Sequence, residues 1–544
     1  MKLDTSTDPQ TGFRPPGSLG DAHTALARYD GRFSIRNAAH LVRRAGFGGT
    51  PNDLTTLTSL GVDRAVDSFL HPSGTTVDFP AYPPTDILFD QKKNRHATQL
   101  WLLDQLVRTN QPLVQKMMLF WHGHFATSMQ KVPPQLMAQQ MNLFRAQGLG
   151  KFPSLLAAVS KDPAMLVWLD NRGNSKAHPN ENYAREVMEL FALGLGNYTE
   201  DDVKEAARSF TGWTLDKSLA FLDNPKLHDD TPKTVLGKTG NWNGNDVVNI
   251  IVQQPAHSRF MAHKLLEFFV YSDPEPELIE ALASVYAISG YDIPKTVGTI
   301  FRSNVFYSSR AYRAIPKSPI EFAVGTLRYM GVTTVPDNLP YVLSRMGQDP
   351  LNPPSVKGWD GGPTWINTAT LLARFNFVNA LIATSIQKKA ATPMAMPAPV
   401  AVAATISPDA IVGQAGGFDA QKVVSTVVNA ALQDDVTSDV RSTLVSFVNS
   451  INTRAAPRQP AAVRAGKLSG QNSWRDRAHA QSPRQPTQLG VARWHHVAPF
   501  FIKVLESPSW VAPCRLRSCA PHPLKHCRHS VRRSIPGTCW SSFK

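Results

Sequence analysis

Three short polar clusters between Trp121 and Asp230 carry residue types that do chemistry. The first, Phe120-Trp121-His122-Gly123-His124-Phe125, closes an apolar run that contains Leu113 and Met117. With Gly123 as a helix stop, the chain beyond it extends. His122 and His124 then point the same way, as a pair of metal-ligand donors does. The alternative is that both rings pack and hydrogen-bond beside the neighbouring aromatics. The second cluster is Pro179-Asn180-Glu181-Asn182-Tyr183-Ala184-Arg185-Glu186-Val187-Met188-Glu189-Leu190. At about 100° per residue, Asn182, Glu186 and Glu189 share one helix stripe, with apolar residues on its flanks. Two carboxylates so placed repel, and if buried they need a cation, a shared proton or an arginine. Arg185 and Arg208 are the nearest candidates. One reading is metal ligation or a general acid/base pair. The other is a buried ion-pair network that joins two helices. The third cluster, His228-Asp229-Asp230, sits on a loop before Pro232, where a His-Asp pair can join a metal site or a proton relay.

Read as one centre, these clusters give Glu186, Glu189, Arg185 and Asn182 as catalytic candidates. His122, His124, Glu186, His228 and Asp229 become the ligands of a divalent metal ion. Residues 1–453 contain no cysteine, which removes thiol chemistry there. Phosphate-loop, dinucleotide and serine-nucleophile motifs are absent.

The elements that must position these residues are helices. Ser34 caps a helix from Ile35, which Gly46, Gly48 and Gly49 break. Thr50-Pro51 opens the next, and a further one runs from Asp63 to Leu70. After a Pro-rich connection at 71–93, helical periodicity fits 97–107, 113–121, 135–146, 153–160, 182–193 and 200–210. Thr199 and Asp202 form a capping box for the last of these. Further helices fit 245–253, 258–270, 275–288, 293–301, 319–330, 341–346 and 368–383. Thr234-Val235-Leu236, flanked by Gly237 and Gly240, is the one strand signal and predicts a hairpin. The fold class is mainly α: a large multi-helix domain with short loops and at most one small β-hairpin. The divisions are a disordered lead at 1–32, the main domain at 33–387 and an Ala/Pro-rich linker or insertion at 388–416. A helical pair follows at 417–452, then a basic, low-order tail at 453–544.

The formal charge of +15 belongs to that tail. Residues 454–544 carry 16 of the 57 lysines and arginines and two of the 42 acids, so the rest of the chain is nearly neutral. All four cysteines lie there too. The Cys519–His529 cluster matches no standard zinc-finger spacing. The Arg/Pro/Ser/Cys/Trp mixture fits either disorder or out-of-frame translation. A diffuse basic tail attracts polyanions without sequence choice, so no specific nucleic acid is expected. No apolar stretch is long enough for a transmembrane helix, and the polar start has no signal-peptide pattern. The chain as written is expected in the cytoplasm, or in the periplasm or outside the cell if the true start lies upstream.

Several segments resemble a large bacterial family catalogued as domain of unknown function 1800. They are His40–Gly48 (HLVRRAGFG), Phe120–Ser128, Asp162–Asn171 and, most specifically, Pro179–Trp213. Lys317–Phe322 (KSPIEF) and Pro353–Arg374, which holds PPSVKGWDGG and WINTATLLAR, complete the set. The likeness covers Ile35–Val378 and continues more weakly to Ser450. It implies a helical bacterial protein without an assigned activity. It also implies a neighbouring gene for a protein resembling secreted sulfatases or phosphatases. The family's Ser-Pro-Glu-Phe-like terminal helix is not found in this chain, which favours the frame-error reading of the tail. Two functions follow from these readings. One is a metal-dependent enzyme, hydrolytic or oxidative, with the His/Glu centre at its heart. The other is a non-catalytic scaffold or partner of the sulfatase/phosphatase-like protein, in which the centre is structural.

Overall fold

Capping residues set most helix starts. The computed structural model describes residues 22–72, 91–332, 334–387, 413, 415, 419–433 and 436–455. Helix α1 (Ala22–Leu26) precedes α2 (Ile35–Arg44), whose N-cap Ser34 forms a reciprocal box with Asn37. Thr50 and Asp53 form the same box at α3 (Pro51–Leu70), with Pro51 in the first turn, where its missing N–H costs nothing. The two helices expected over this stretch are one element with a kink at Gly61 (φ +73°), a backbone angle that favours glycine. Residues 22–32, assigned by sequence to a disordered lead, instead join the body. Ala25 is buried, and the Tyr29 N–H donates to the Arg302 carbonyl (2.6 Å). The rest of that lead, the 388–416 linker except two residues, and the tail after residue 455 lie outside the described residues.

Helices α4 (Gln91–Arg108), α5 (Pro112–His124), α6 (Pro134–Gln147), α7 (Phe152–Ser160) and α8 (Pro163–Trp168) follow. Gly123 does not stop α5. The Phe125 N–H still reaches the Trp121 carbonyl (2.7 Å), and helical geometry runs through His124. Helix α9 (Glu181–Glu186) passes into a π-turn at Val187–Ala192, where the Leu193 N–H bonds back five residues to Met188 (2.8 Å). A π-turn inserts one residue into the helix and rotates everything after it. Helix α10 (Glu200–Ser209) has the expected Thr199/Asp202 capping box.

The mainly helical reading holds, with two short antiparallel pairs. The expected hairpin is β3 (Lys233–Val235) with β4 (Lys238–Gly240). Its Leu236-Gly237 turn has φ of +50° and +77°, the mirror-image geometry that suits two-residue hairpins. The additional pair is β1 (Trp213–Leu215) with β2 (Phe221–Asp223). Its strands are three residues long, too short for a period-2 pattern to register.

The chain continues through α11 (Gly244–Val252), α12 (Pro255–Phe269), α13 (Pro276–Ile288) and α14 (Ile293–Arg302). Then come α15 (Pro319–Tyr329), α16 (Leu339–Arg345), α17 (Thr368–Gln387) and the pair α18 (Ala420–Leu432) and α19 (Ser438–Ala455). One apolar core runs through them, and Trp121, Phe125, Phe144, Phe152 and Phe191 form an aromatic stack inside it. None of the described helices is long and apolar enough to cross a membrane.

Helix α15 lies so close to the loop after α2 that a Cβ on Gly325 would collide with the Phe47 carbonyl oxygen. Gly325→Ala should therefore cost about 1–3 kcal/mol, the usual penalty for overpacking, read as a lower urea midpoint with unchanged slope.

Candidate functional site

The continuation of α5 decides where its histidines go. Two residues apart on a helix are about 200° apart around its axis, so the rings leave on different sides. His122 is fully buried and meets Trp359 edge-on (centroids 5.4 Å), and neither ring nitrogen has a hydrogen-bond partner. Trp359 reaches it because Gly358 (φ +86°) lies directly over the Gly123 carbonyl, with no room for a side chain. His124 donates from Nε2 to the Phe191 carbonyl (2.9 Å), with Phe120, Trp121, Phe125 and Phe260 around it. Burial pulls the two imidazoles down to about 4 and about 3, so both are neutral near pH 7.

The residues of α9 find partners of their own. Arg185 grips Glu200 through two contacts of 2.7 Å and also reaches Glu181 (3.3 Å), rather than Glu189 as its spacing suggested. Past the π-turn entry, Glu189 accepts from the Tyr198 hydroxyl (2.6 Å). Glu186 is half-buried, and burial first and the Glu189 charge second raise its pKa. Asn182 is exposed. Arg208 gathers the third cluster, bonding Asp229 (2.8 Å) and Glu205 (2.7 Å). Burial opposes the Asp229 charge, but hydrogen bonds from Arg208 and Thr231 outweigh it and hold the carboxyl well below its usual range. His228 donates from Nδ1 to the Thr211 carbonyl (2.8 Å). The structure thus couples Glu186 to Glu189 and draws Asp229 to Arg208, but leaves His122 and His124 on separate walls of α5. Among the described residues, no three His, Cys, Asp or Glu side chains are grouped to hold a metal ion.

A different site stands where α2 ends. Its last turn and the loop after it, the segment 311–317, the start of α15 and Gln433 after α18 enclose a cavity of about 90 Å³. Arg43, Arg44, Arg313 and Lys317 line it, and Glu321 is the one acidic lining residue. That carboxylate is already taken. Lys116, 1% exposed, ion-pairs with it from α5 and also donates to the Gly46 carbonyl (3.2 Å). Burial alone would raise Glu321, yet the Lys116 and Arg44 charges hold it down at about 2. Each arginine is anchored to a backbone carbonyl. Arg44 donates to the Phe269 carbonyl (3.0 Å) and to that of Phe268, Arg43 to Ala39 (2.8 Å) and Arg313 to Leu432 (2.6 Å). From α17, Arg374 donates to the Lys317 carbonyl (3.0 Å). His40 closes one wall against Phe306 (centroids 4.6 Å), and its buried Nε2 has no partner.

Local sequence explains this arrangement. Arg43 and Arg44 sit in the last turn of α2, where cations suit the helix dipole. Ser318 and Glu321 form the capping box that starts α15, which aims Glu321 back at Lys116. Sequence reasoning missed the cavity because its walls come from three distant stretches, residues 40–47, 311–321 and 433. The available signal was basic residues inside otherwise apolar runs: Lys116 among Leu113, Val114, Met117 and Met118, and Arg374 among Leu371, Leu372, Ala373 and Phe375.

Burial holds His40, His122, His124 and His257 at about 3, 4, 3 and 4, against about 6.5 in an unfolded chain. Their folded pKa values are depressed, so the unfolded chain takes up protons first. The stability these rings contribute is complete above about pH 6.5 and is lost as pH falls towards 4 and then 3. Urea midpoints should decline steadily from pH 6.5 downward. A midpoint that stays flat until carboxylates titrate would contradict this assignment.

No curated protein and no solved structure matches this chain. A family model described as "Protein of unknown function (DUF1800)" matches residues 40–501. The match takes in every segment of the cavity wall and runs into the basic segment that starts at Arg454, beyond the limit at Ser450 expected from sequence. The chain belongs to the DUF1800 family.

Proposed function

We propose that this protein binds a small anion, a carboxylate, phosphate or sulfate group, in the cavity between α2 and α15. The observation that carries the reading is the convergence of Arg43 and Arg44 from α2 with Arg313 and Lys317 from the segment 311–317 on a cavity whose one acid is already paired with Lys116. Cations gathered in a partly buried space repel one another, and an anion relieves that repulsion. Guanidinium forks also match the planar geometry of oxyanions. The His/Glu centre then acts as a structural network, which agrees with the scaffold expectation. A sulfatase- or phosphatase-like partner would release anions of the kind this cavity suits.

Calorimetric titration of the full chain with inorganic phosphate and sulfate near neutral pH should give one saturable site that weakens in high salt. Arg43→Gln and Arg313→Gln should each weaken it about tenfold, the loss of one charge-assisted bond. Absence of saturable binding by either anion, or binding unchanged in both variants, would sink the reading.

The metal-dependent enzyme remains the second reading. Its support is the Glu186–Glu189 coupling, which a cation would relieve. Elemental analysis of purified protein, with His122→Ala and Glu186→Ala alongside, separates the two. Stoichiometric metal removed by both substitutions would establish the metal reading. Metal-free, well-folded protein would leave the centre structural.

A further inference from the structure

We propose that Lys233 and Asn241 form a covalent modification site, in which the lysine amine joins the asparagine side chain as an amide, releases ammonia and staples the β3–β4 hairpin. The site stands apart from the anion cavity. Strand β3 alternates, with Lys233 and Val235 turned inward at 1% and 0% exposure and Thr234 turned outward. A lysine therefore fills a core-facing position, where apolar residues are the usual occupants. Its strand is docked on α10 through the backbone. The Thr234 N–H donates to Glu205 (3.3 Å) and the Leu236 N–H to Asp202 (2.6 Å).

The buried ammonium is poorly satisfied. Among the described residues its one hydrogen bond is long, to Asn241 Oδ1 (3.5 Å), and no carboxylate lies within ion-pair distance of it. The charges of Asp229, Asp230 and Glu205 reach it from further away. Arg208 holds Asp229 (2.8 Å) and Glu205 (2.7 Å), and Asp230 is exposed. Burial is the largest influence on the amine and pulls it below its ordinary range. The Asp229 charge opposes that first, and the Arg208 charge adds to it. A buried charge is costly unless it is paired, and conversion to a neutral amide removes that cost.

Hairpin register brings the electrophile to the amine. Lys233 pairs with Gly240 across the two strands, which sets Asn241 one residue beyond. Past it, Trp242 Nε1 donates to the Lys238 carbonyl (3.0 Å) and Asn243 caps α11, so the backbone is fixed on both sides of Asn241. The amide carbon is one bond from the oxygen that Lys233 already contacts. Holding two reactants side by side turns a bimolecular step into a unimolecular one.

The ammonium first gives one proton to solvent, which reaches the pair through the exposed Asn241. The amine lone pair then attacks Cγ of Asn241, and a bond forms between Nζ and Cγ. The amide nitrogen takes a second proton from the former amine and leaves as ammonia, with the electron pair of its bond to Cγ. That ammonia takes up the proton given to solvent. One C–N bond has replaced another, with no oxidation or reduction.

The test is tryptic peptide mapping by mass spectrometry on the full chain, held folded for several days near neutral pH. The expected result is one branched peptide that joins residues 227–238 to residues 239–259, uncut after Lys233. It should be lighter than the two separate peptides together by about 17 Da, the mass of ammonia. The linkage is the readout rather than the mass loss alone, because an Asn-Gly step such as Asn243-Gly244 can lose ammonia by itself. Lys233→Arg and Asn241→Ala should each abolish the branched peptide, and the exposed position of Asn241 keeps the second variant folded. Separate recovery of peptides 227–233, 234–238 and 239–259 from the folded protein, with no joined species, would overturn the proposal. A joined species that persists in Asn241→Ala would overturn it too.

Discussion

The buried ion pair between Lys116 and Glu321 is the constraint around which this molecule is arranged. Each ion costs several kcal/mol to remove from water, and neither is tolerable inside without the other. Their side chains come from α5 and α15, so those helices must meet at one point. The second hydrogen bond of Lys116, to Gly46, brings the end of α2 to the same point. Arg44 adds a fourth helix, because its fork reaches the carbonyls at the C-terminal end of α12. Gly325 then has to be a glycine, since α15 is drawn against Phe47. Glu321, committed to Lys116, is the one acidic residue on a cavity wall that also holds Arg43, Arg44, Arg313 and Lys317. The cationic character of the site is thus a direct consequence of the pair that holds the helices together.

Local features were legible in the sequence because their causes are local. Ser34, Thr50 and Thr199 cap the helices they were expected to cap, since a cap depends on a side chain and a backbone two or three residues away. The Leu236-Gly237 hairpin was legible for the same reason. Two misreadings in the candidate centre came from treating local rules as final. Gly123 carries a weak helix-stop signal, but the burial of Trp121, Phe125 and their neighbours in the core makes one further turn of α5 worthwhile. The stripe of Asn182, Glu186 and Glu189 presumed a regular α-helix. The π-turn at Val187–Ala192 breaks that period just before Glu189, and Tyr198 takes up the carboxylate. The cavity itself had no local signature, because residues 40 and 317 become neighbours only when the chain has folded.

The two polar regions differ in how completely they are satisfied. In the centre between Trp121 and Asp230, arginines and carboxylates pair off: Arg185 with Glu200, Arg208 with Asp229 and Glu205. Such pairs are what adjoining helices need where polar faces meet. His122 keeps two buried nitrogens without a hydrogen-bond partner beside Trp359, and Arg145, Trp168 and Asn171 each keep one. The cavity is lined by three arginines, Lys317 and one committed carboxylate, and His40 Nε2 at its wall has no hydrogen-bond partner.

An imbalance of that kind has to be maintained by something, and α18 is part of what maintains it. Its terminal Leu432 carbonyl accepts from Arg313, and the Gln433 carbonyl accepts from the Tyr312 hydroxyl (3.3 Å). The C-terminal end of a helix carries partial negative charge, so α18 stabilises the guanidinium it holds without neutralising it. Gln433, in the left-handed conformation with φ +57°, turns the chain there and completes the wall. A helix more than a hundred residues beyond α15 in sequence is therefore part of the same cavity. Lining charge that is anchored through backbone carbonyls rather than cancelled by carboxylates keeps its field directed into the open space. Backbone carbonyls anchor Arg43, Arg44 and Arg313 at little cost to that field. This choice of partners distinguishes the proposed anion site from the paired arginines and carboxylates of the other polar region.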